Sequence, residues 1–488
     1  MSDRGLSVSG LTFQIGGRTL FEEIDFDIAP GEMVLLCGQS GNGKSSLANV
    51  LNGYFPENGG NVQVRHIKLG GKELQHLSVQ ERSWYVRTIF QHARLSFSMK
   101  TLREEMVFCL ENAQVAPDEM DAQIEEKARH FQLTYLLDRP FDELSGGELQ
   151  RAAFVCADLV DAPLYILDEP FANLDEETSR IYMDYIKKLL QRGKAMVVID
   201  HRLDRWEWAE RWLLLDKQGC LHDLSLFSPE KKKELLQAEG VLVETPSVER
   251  RRNNESQETV LELEGVHIAH TDVKKRSFFR KKRETMPLLD DVSFSLKKGT
   301  LAALIGPSGK GKTTLFKSIL NAMPYQGTIR IGGEDIRNLK PADLYSKVGI
   351  VFQDPSLQFV QTKVLDEMVL SVRAWKSAEE GREEAAAREL LLEHQFEEQL
   401  TKSPWLLSQG QQRRLAVLCM TVGKQRLLLV DEPTYGQDAQ NAKNIMAKLK
   451  ELCQAGITCL FTSHDEGLVE AYADEIYQLK DRKVRKQR

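Results

Sequence analysis

An internal repeat limits the folds that this chain can adopt. The distance from Ser145, in "LSGGE", to Glu169, in "LYILDEP", is 24 residues, and the same distance separates Ser408, in "LSQGQ", from Glu432, in "LLLVDEP". In both halves a histidine follows the glutamate after another 32 residues. Short motifs recur by chance, whereas a shared order with matched spacing does not. The chain therefore contains two copies of one fold, with a period near 263 residues.

Each copy alternates short apolar runs with helical patterns. In the first copy, "EMVLLCG" precedes a glycine-rich loop and then "SSLANVLNG", which predicts a strand, a loop and a helix. The runs in "APLYILDEP" and "KAMVVIDH" are apolar at successive positions, as in strands that are buried on both faces. This pattern predicts an α/β fold in each half, with a mostly parallel sheet core and helices around it.

The 488 residues are predicted to form two domains, 1–228 and 259–488, joined by a linker over 229–258. Within the linker, "SPEKKKELLQAEG" can form a short helix, and "TPSVERRRNNESQE" is polar with no apolar period. A basic segment at 274–284, "KKRSFFRKKRE", has no counterpart in the first copy. It is either a solvated hairpin or a contact with anionic lipid headgroups or a membrane partner.

Charge and hydropathy exclude several functional classes. The net charge is -7, which argues against a nucleic-acid binder that depends on phosphate contacts. No apolar run approaches the roughly 18–20 residues that cross a bilayer, and the first ten residues lack an apolar signal region. We therefore expect a cytoplasmic protein whose membrane role, if it has one, comes through a partner.

The pattern G-x-x-x-x-G-K-[ST] occurs twice, in "CGQSGNGKSS" and "IGPSGKGKTT". Its glycines let backbone N–H groups converge on phosphate oxygens, and the loop opens a helix whose N-terminus favours an anion. Lys44 and Lys312 are expected to reach the β- and γ-phosphates of ATP, and Ser45 and Thr313 to bind Mg²⁺. The predicted nucleotide-binding loops comprise Gly38, Gln39, Ser40, Gly41, Asn42, Gly43, Lys44, Ser45 and Ser46, and Gly306, Pro307, Ser308, Gly309, Lys310, Gly311, Lys312, Thr313 and Thr314.

Two consecutive acids end an apolar strand in each half. Asp168 and Asp431 are predicted to hold Mg²⁺ through water. Glu169 and Glu432 follow them, and a carboxylate at that position can orient and polarise the attacking water.

The order of these motifs resembles the ATPase of ABC transporters, over nearly the whole chain and in both halves. The resemblance implies an antiparallel β subdomain and a helical subdomain beside each core, so that the fold class is two tandem P-loop NTPase domains. It also assigns further positions: Gln91 and Gln353 to the Q-loop at Mg²⁺, Ser145 with Gly147 and Ser408 with Gly410 to the signature motif, His201 and His464 to the switch histidine, and Asp175 and Asp438 to the D-loop.

In this family the phosphate loop of one domain faces the signature motif of another, head to tail, with ATP between them. The resemblance therefore implies that each half of this chain completes a site for the other half. Four positions depart from the family pattern. Ile15 and His270 stand where an aromatic residue stacks on adenine, with Phe13 as a substitute, and Gln409 and Gln437 replace residues of the second signature motif and D-loop.

The second Q-loop, "VFQDPSLQFVQTKVLDEMVLSV", resembles the energy-coupling factor ATPases, and "LREEMVFCLEN" resembles the same helix in the first half. The resemblance implies a peripheral location at the cytoplasmic face of the membrane. It also implies two membrane partners: a shared transmembrane coupling protein, and a small protein that captures a vitamin or a transition-metal ion. Glu105 and Glu367 are predicted to contact the former. The alternatives are the ATPase of another ABC importer and a soluble ABC-type ribosome-associated factor.

Overall fold

The structure, a computed structural model, describes residues 5–90, 93–171, 174, 176–242, 258–272, 284–307, 309–375, 377–423 and 425–488. The chain divides into two compact units, Met1–Val243 and Glu244–Arg488, which we call the first and the second unit. Within the ranges that the structure describes, no helix has both the length and the apolar character needed to cross a bilayer.

The first unit begins with strands and then alternates strands with helices. Its strands are β1 (Leu6–Ile15), β2 (Arg18–Ile28), β3 (Met33–Cys37), β4 (Asn61–Gln63), β5 (His66–Leu69), β6 (Lys72–Glu73), β7 (Val86–Ile89), β8 (Leu164–Asp168), β9 (Ala195–Ile199), β10 (Arg211–Leu215) and β11 (Leu221–Asp223). Its helices are α1 (Lys44–Leu51), α2 (Tyr54–Glu57), α3 (Val79–Arg82), α4 (Leu102–Asn112), α5 (Pro117–His130), α6 (Gly146–Asp158), α7 (Glu176–Gln191) and α8 (Pro229–Ala238).

Two sheets organise the first unit. The smaller sheet has the order β2-β1-β5-β6, with β4 also paired to β1, and its pairings are antiparallel. The larger sheet has the order β11-β10-β3-β9-β8-β7 and is parallel apart from the β10–β11 pair. Because β3, β9 and β8 are parallel neighbours, the loops that follow them meet at one edge of the sheet, where open α/β sheets bind their ligands.

The second unit repeats this sequence of elements. Its strands are β12 (Thr259–Asp272), β13 (Glu284–Lys297), β14 (Leu301–Ile305), β15 (Gln326–Ile331), β16 (Glu334–Asp335), β17 (Val348–Val351), β18 (Leu427–Val430), β19 (Thr458–Thr462), β20 (Glu475–Lys480) and β21 (Lys483–Lys486). Its helices are α9 (Lys312–Ile319), α10 (Pro341–Lys347), α11 (Val364–Ala374), α12 (Glu383–Glu393), α13 (Gln409–Thr421), α14 (Ala439–Gln454) and α15 (Glu466–Tyr472).

The sheets of the second unit have the same order as those of the first. The antiparallel sheet runs β13-β12-β15-β16, and the larger sheet runs β17-β18-β19-β14-β20-β21 with only its β20–β21 pair antiparallel among the described strands. Strands β14, β19 and β18 are therefore neighbours, as β3, β9 and β8 are in the first unit. This identity of order confirms that the chain is a duplication.

The central strands are apolar because both faces of each larger sheet are covered. Every residue of β3, β9 and β19 is buried, as expected for parallel strands between helical layers. Beside the first core, Met106 and Leu110 of α4 share a hydrophobic cluster with Ile124 and Ala128 of α5. The predicted α/β class, with a mostly parallel core, an antiparallel β subdomain and a helical subdomain, is confirmed for each unit.

The segment that the sequence predicts as a linker begins with helix α8. Its Leu236 is buried in the hydrophobic core of the first unit, because α8 presents this side chain to the helices and strands before it. The polar part of the linker and the basic segment 274–284 lie outside the described residues, apart from the backbone at 258 and 284. The predicted domain bounds therefore stay a prediction.

Candidate active site

Each glycine-rich loop connects a buried central strand to a helix. The first loop joins β3 to α1, which begins at Lys44, and the second joins β14 to α9, which begins at Lys312. The residues before these helices, Gly43 and Gly311, have φ angles of 100° and 107°, a left-handed conformation that glycine adopts without steric cost. The free N–H groups of each first helical turn therefore face the loop, as a phosphate site requires.

The two loop lysines fold back over their own loops. Lys44 Nζ donates to the carbonyl oxygens of Gly38 and Gln39 at 2.8 and 2.9 Å. Lys312 Nζ donates to the oxygens of Gly306 and Pro307 at 2.6 and 3.2 Å. Both lysines are buried, and burial lowers the pKa of Lys312. Each ammonium group is thus held at the point where the N–H groups of the loop converge.

The remaining loop residues lie around these ammonium groups. Asn42 Nδ2 donates to Leu215 O at 3.0 Å and so ties the first loop to the end of β10. Ser40, Gly41, Gly309 and Lys310 are exposed, whereas Ser46 and Thr314 are partly buried in the first helical turns. Ser308 lies outside the described residues.

A hydroxyl and a carboxylate meet at the next strand in both units. Thr313 Oγ1 donates to Asp431 Oδ2 at 2.6 Å, and the Ser45 side chain hydrogen-bonds Asp168. Oxygen atoms of this kind are the ligands that Mg²⁺ prefers. Among the described residues, no group of three or more His, Cys, Asp or Glu side chains gathers as a metal site. In proteins Mg²⁺ is usually held by one or two carboxylates, with phosphate and water in its other positions.

The acid that follows the aspartate has the same unusual backbone in both units. Glu169 and Glu432 each have a φ of 48°, in the left-handed region that non-glycine residues rarely adopt. Such conformations cost about 1–3 kcal/mol and cluster at functional sites. Both side chains are buried, although each ends in a charged group. The strain and the burial together mark these two glutamates as functional candidates.

Each of these glutamates faces the late histidine of its own unit. His201 Nε2 lies 3.2 Å from Glu169 Oε1, and His464 Nε2 lies 3.1 Å from Glu432 Oε1. His464 Nε2 is also 3.2 Å from Lys312 Nζ. The histidines reach this position because each follows the strand, β9 or β19, that lies between the phosphate-loop strand and the aspartate strand.

Burial changes the acidity of this cluster. Burial, together with the neighbouring charge of Glu169, raises the pKa of Asp168 to about 6. Burial raises the pKa of Glu432 to about 7, although Lys312 opposes this change. A carboxylate whose pKa lies near neutrality is suited to accept a proton from water at physiological pH.

The two serines of the predicted signature motifs lie at the N-termini of helices and not in the carboxylate cluster. Ser145 caps α6, and its hydroxyl accepts from Glu148 N while Glu148 Oε2 accepts from Ser145 N. Ser408 caps α13 in the same way with Gln411. Both serines are exposed, and no hydrogen bond between described residues links either one to the phosphate loop of its own unit. Gly147 and Gly410 lie in the first turn of each helix, and the side chain of Gln409 is outside the described part.

The Q-loop and D-loop can be described in the second unit only. Gln353 is exposed and follows β17, and Asp438 is buried and caps α14 by accepting from Asn441 N at 2.7 Å. The side chain of Gln437 is also buried, and its Oε1 lies 2.9 Å from the place where a Cβ on Gly410 would stand. Their counterparts Gln91 and Asp175 lie outside the described residues.

The structure corrects the prediction for Phe13 as an adenine-stacking residue. Phe13 is fully buried, with its ring centroid 4.7 Å from that of Phe55 and 5.7 Å from that of Phe21. It belongs to the core because side chains alternate between the faces of β1, and position 13 falls on the inner face. Ile15 is partly exposed at the end of β1, and the side chain of His270 is outside the described part.

The prediction that Glu105 and Glu367 contact a partner is also wrong. Both carboxylates are buried, at 4% and 5% exposure. Glu105 Oε2 accepts from Ser98 N and Met99 N, both at 2.8 Å, and Glu367 Oε2 accepts from two consecutive backbone N–H groups in the same way. Because each glutamate lies in the first turn of its helix, α4 or α11, its side chain points toward the preceding loop. Each carboxylate therefore holds that loop against its helix.

This finding leads to a stability prediction. Glu367→Ala should lower the free energy of unfolding by about 1–3 kcal/mol, because it removes the buried carboxylate that accepts from two backbone N–H groups of the preceding loop. The matched control is Asp366→Ala, which removes the exposed neighbouring acid. Urea denaturation of the three chains measures the difference, and equal stability of both variants would contradict the structural role.

Sequence reasoning missed two side chains of the second unit. Arg413 is buried in α13, and its guanidinium donates to the carbonyl oxygens of Gln353 and Glu432. Thr462 Oγ1 donates to Asp431 Oδ1 at 2.6 Å and accepts from Glu432 N at 2.8 Å. The sequence signal that could have identified them was a charged residue at an inward-facing position of a helix and a hydroxyl residue at an inward-facing position of a strand.

Comparisons with known proteins agree with this geometry. The sequence profile described as ABC transporter matches residues 21–172 and again residues 289–435. A protein of Bacillus subtilis (strain 168), provisionally named HMP/thiamine import ATP-binding protein YkoD, is 33% identical over 98% of this chain and 90% of its own length. A Streptococcus mutans protein, provisionally named ABC transporter ATP-binding protein, is 29% identical over 95% of this chain and 87% of its own length.

Solved structures match over nearly the whole chain as well. The RNase-L Inhibitor structure has a TM-score of 0.58 at 20% identity and covers 96% of this chain and 87% of its own. The complex of archaeal ribosomal stalk protein aP1 with ribosome recycling factor aABCE1 gives 0.58 at 19% identity, with 98% and 87% coverage. At this identity the likeness concerns the fold alone. The repeated profile match and the Bacillus relative show that this chain belongs to the ABC transporter family and carries the ATPase domain of that family twice.

Proposed function

We propose that this chain is the ATP-hydrolysing subunit of an ABC importer of the energy-coupling factor type. One observation supports the ATPase activity above all: each unit brings a phosphate-loop lysine, a hydroxyl paired with an aspartate, and a glutamate beside a histidine to one edge of its parallel sheet. The name of the Bacillus relative supports import, and it favours a vitamin-type substrate over a metal ion.

The residues of each unit divide the work of phosphoryl transfer. Lys44 and Lys312, with the N–H groups that open α1 and α9, bind and orient the phosphates. The oxygens of Ser45 and Asp168, and of Thr313 and Asp431, would hold Mg²⁺. When bound, Mg²⁺ neutralises charge that develops on the phosphate oxygens.

Glu169 and Glu432 then act on water. Each side chain orients a water molecule and accepts its proton, and burial strengthens the interaction by excluding solvent. The Nε2 atoms of His201 and His464 lie within 3.2 Å of these carboxylates, where an Nε2–H can donate either to the carboxylate or to the γ-phosphate of a bound ATP. Gln353, and Gln91 in the first unit, are assigned to the water shell of the metal.

The resemblance to ABC transporter ATPases implies that each phosphate loop is completed by the signature motif of the other copy, and we include this pairing in the proposal. Ser145 and Ser408 carry exposed hydroxyls at helix N-termini and make no hydrogen bond to the phosphate loop of their own unit within the described part. A helix start of this kind binds phosphate when a second domain presents it. The proposed pairing assigns Ser408 to the site of Lys44 and Glu169, and Ser145 to the site of Lys312 and Glu432.

The membrane partner is proposed to dock beside the Q-loop. Next to Gln353, the second unit exposes Leu357, Val360, Trp405 and Leu406, with Leu357 75% and Leu406 80% exposed. Trp405 Nε1 donates to Ser356 O at 3.1 Å, which holds this apolar surface together. An exposed patch of this kind fits the apolar face of an amphipathic helix.

Two positions of the corresponding surface in the first unit are acidic. Asp142 and Glu143 occupy the positions of Trp405 and Leu406, counted back from the signature serine, and Arg94 Nη2 pairs with Asp142 Oδ1 at 2.8 Å. The two units therefore present different surfaces, which suits two different segments of the partner.

This surface gives a prediction about coupling. Leu406→Glu, which gives the second unit the residue of the first, should weaken binding to the membrane partner by about tenfold or more, because it places a charge in an apolar contact. The control is Leu226→Glu, which changes an equally exposed leucine elsewhere. Co-purification with the partner and partner-stimulated ATP hydrolysis measure the effect. Equal loss in both variants would contradict docking at this surface.

The transport role itself is tested by co-purification. The tagged chain, isolated from mildly solubilised membranes of its native cells, should bring integral membrane proteins with it, and these should stimulate its ATP hydrolysis. Recovery with ribosomes and no membrane protein would overturn the importer proposal and favour a soluble factor. Recovery with a membrane pair that lacks a separate substrate-capturing protein would point to another class of ABC importer.

A further inference from the structure

A single buried cation connects two loops of the second unit. Arg413, the fifth residue after Ser408, lies in α13 with only 2% of its surface exposed. Its Nη2 donates to Gln353 O at 2.6 Å, and its Nη1 donates to Glu432 O. Gln353 follows β17 and Glu432 follows β18, so one side chain holds both the Q-loop and the backbone of the proposed base.

The electrostatic surroundings of Arg413 show that its charge is retained. Burial lowers the pKa of Arg413 to about 10, so the guanidinium remains protonated at neutral pH. The nearby Glu432, Tyr435, Asp354 and Asp431 oppose that lowering. A buried charge is costly unless it is paired and hydrogen-bonded. The two carbonyls and the surrounding acids supply those partners for the two Nη atoms, whereas Nε has no hydrogen-bond partner among the described residues.

The first unit has a neutral residue at the same place. Gln150 is the fifth residue after Ser145, as Arg413 is after Ser408, and it is fully buried in α6. Neither its Oε1 nor its Nε2 has a hydrogen-bond partner among the described residues. The hydroxyl of Thr462 is likewise replaced, because Ile199 stands at that position and leaves its backbone oxygen to accept from Glu169 N.

We propose that Arg413 is a positioning residue that holds the Gln353 loop against the Glu432 backbone through a charged, two-armed contact, which the neutral Gln150 of the first unit cannot supply. The inference rests on the proposed ATPase function, in which Glu432 acts on water. Its consequence is that hydrolysis at the second unit responds to the position of the Q-loop, while hydrolysis at the first unit responds less. The duplication then contains two sites with the same chemistry and different control.

Arg413→Gln is a suitable test because the first unit already accommodates glutamine at this position. Single-turnover hydrolysis by the full chain should show the phase that belongs to the second unit slowed by about 10- to 100-fold, the usual effect of losing an outer partner that orients a site. ATP affinity should not change, because the hydrogen bonds of Arg413 among the described residues go to Gln353 and Glu432 and not to the phosphate loop. Arg413→Lys should restore part of the rate, since it keeps the charge but not the two-armed geometry.

Two further variants separate positioning from folding. Arg414→Gln removes the adjacent arginine of α13, which stacks on the Phe396 ring at 5.4 Å, and should leave hydrolysis unchanged. Glu432→Gln combined with Arg413→Gln should hydrolyse ATP no more slowly than Glu432→Gln alone, because Arg413 acts through Glu432. Thermal unfolding of each variant accompanies the kinetics.

The outcomes distinguish failure of the role proposed for Arg413 from failure of the proposed ATPase function. A wild-type rate in Arg413→Gln, or a slower rate that appears equally in Arg414→Gln, would overturn the role of Arg413 and leave the ATPase assignment in place. Additive losses in the double variant would also overturn it, since they would place Arg413 on a separate path. If the unmodified chain does not hydrolyse MgATP, both the proposed function and this inference fail.

Discussion

Lys44→Ala combined with Lys312→Ala should nearly abolish ATP binding by this chain. Each lysine supplies a charge-assisted hydrogen bond to phosphate, worth about 1.5–3 kcal/mol, which corresponds to roughly 10- to 100-fold in affinity at each site. The structure adds a second cost. The carbonyl oxygens of Gly38 and Gln39, and of Gly306 and Pro307, now accept from these ammonium groups and would be left facing the phosphates.

Isothermal titration of MgATP into the purified chain measures this effect. Lys317→Ala is the matched control, because it removes an exposed lysine from the same helix as Lys312 without touching the loop. Each single variant should retain about half of the ATP that the unmodified chain binds. Unchanged affinity in the double variant would show that these loops do not bind the nucleotide.

Glu169→Gln and Glu432→Gln should each reduce turnover sharply while ATP binding persists. The amide keeps the size of the side chain but cannot accept a proton, and general bases contribute about 10²–10⁴-fold to rate. The strained backbone at both positions is unchanged by this substitution, so the geometry of the loop should survive. With both carboxylates removed, the chain should retain two molecules of ATP.

Single-turnover hydrolysis and a count of retained nucleotide test this prediction. Glu104→Gln, on the exposed side of α4, serves as a control for loss of an acid outside the cluster. If one single variant keeps the wild-type rate while the other loses all activity, then only one site hydrolyses ATP. That result would contradict the view that both units carry a working set of residues.

The fold was largely predictable because its signals are local. Strands such as "MVLLC" and "TCLFT" are continuous apolar runs, which is the pattern of parallel strands covered on both faces, and the structure buries all of their residues. Because the second half repeats the first, each strand or helix predicted in one half also predicts its counterpart in the other half. The linker was less predictable, because the alternation of polar and apolar residues in α8 does not reveal which core receives Leu236.

The residues of the candidate site also differ in how well the sequence predicts them. Lys44, Ser45 and their counterparts belong to a motif whose residues are neighbours in the chain, so short-range spacing is sufficient to locate them. Aspartate and histidine positions also followed from sequence, since each lies at the end of a strand or within two residues of it, and parallel strands bring their carboxyl ends to one edge. These predictions depended on local order and on the repeat.

The direction in which a side chain points was decided by packing between distant segments. Glu105 and Glu367 look like surface acids in a helical pattern, yet the loop before each helix folds over them and supplies two N–H groups. Arg413 looks like one more cation of an exposed helix, yet it lies between two loops about 60 and 19 residues away in the chain. Burial and pairing of this kind depend on which segments meet in space, and residue spacing along one chain segment carries no record of that meeting.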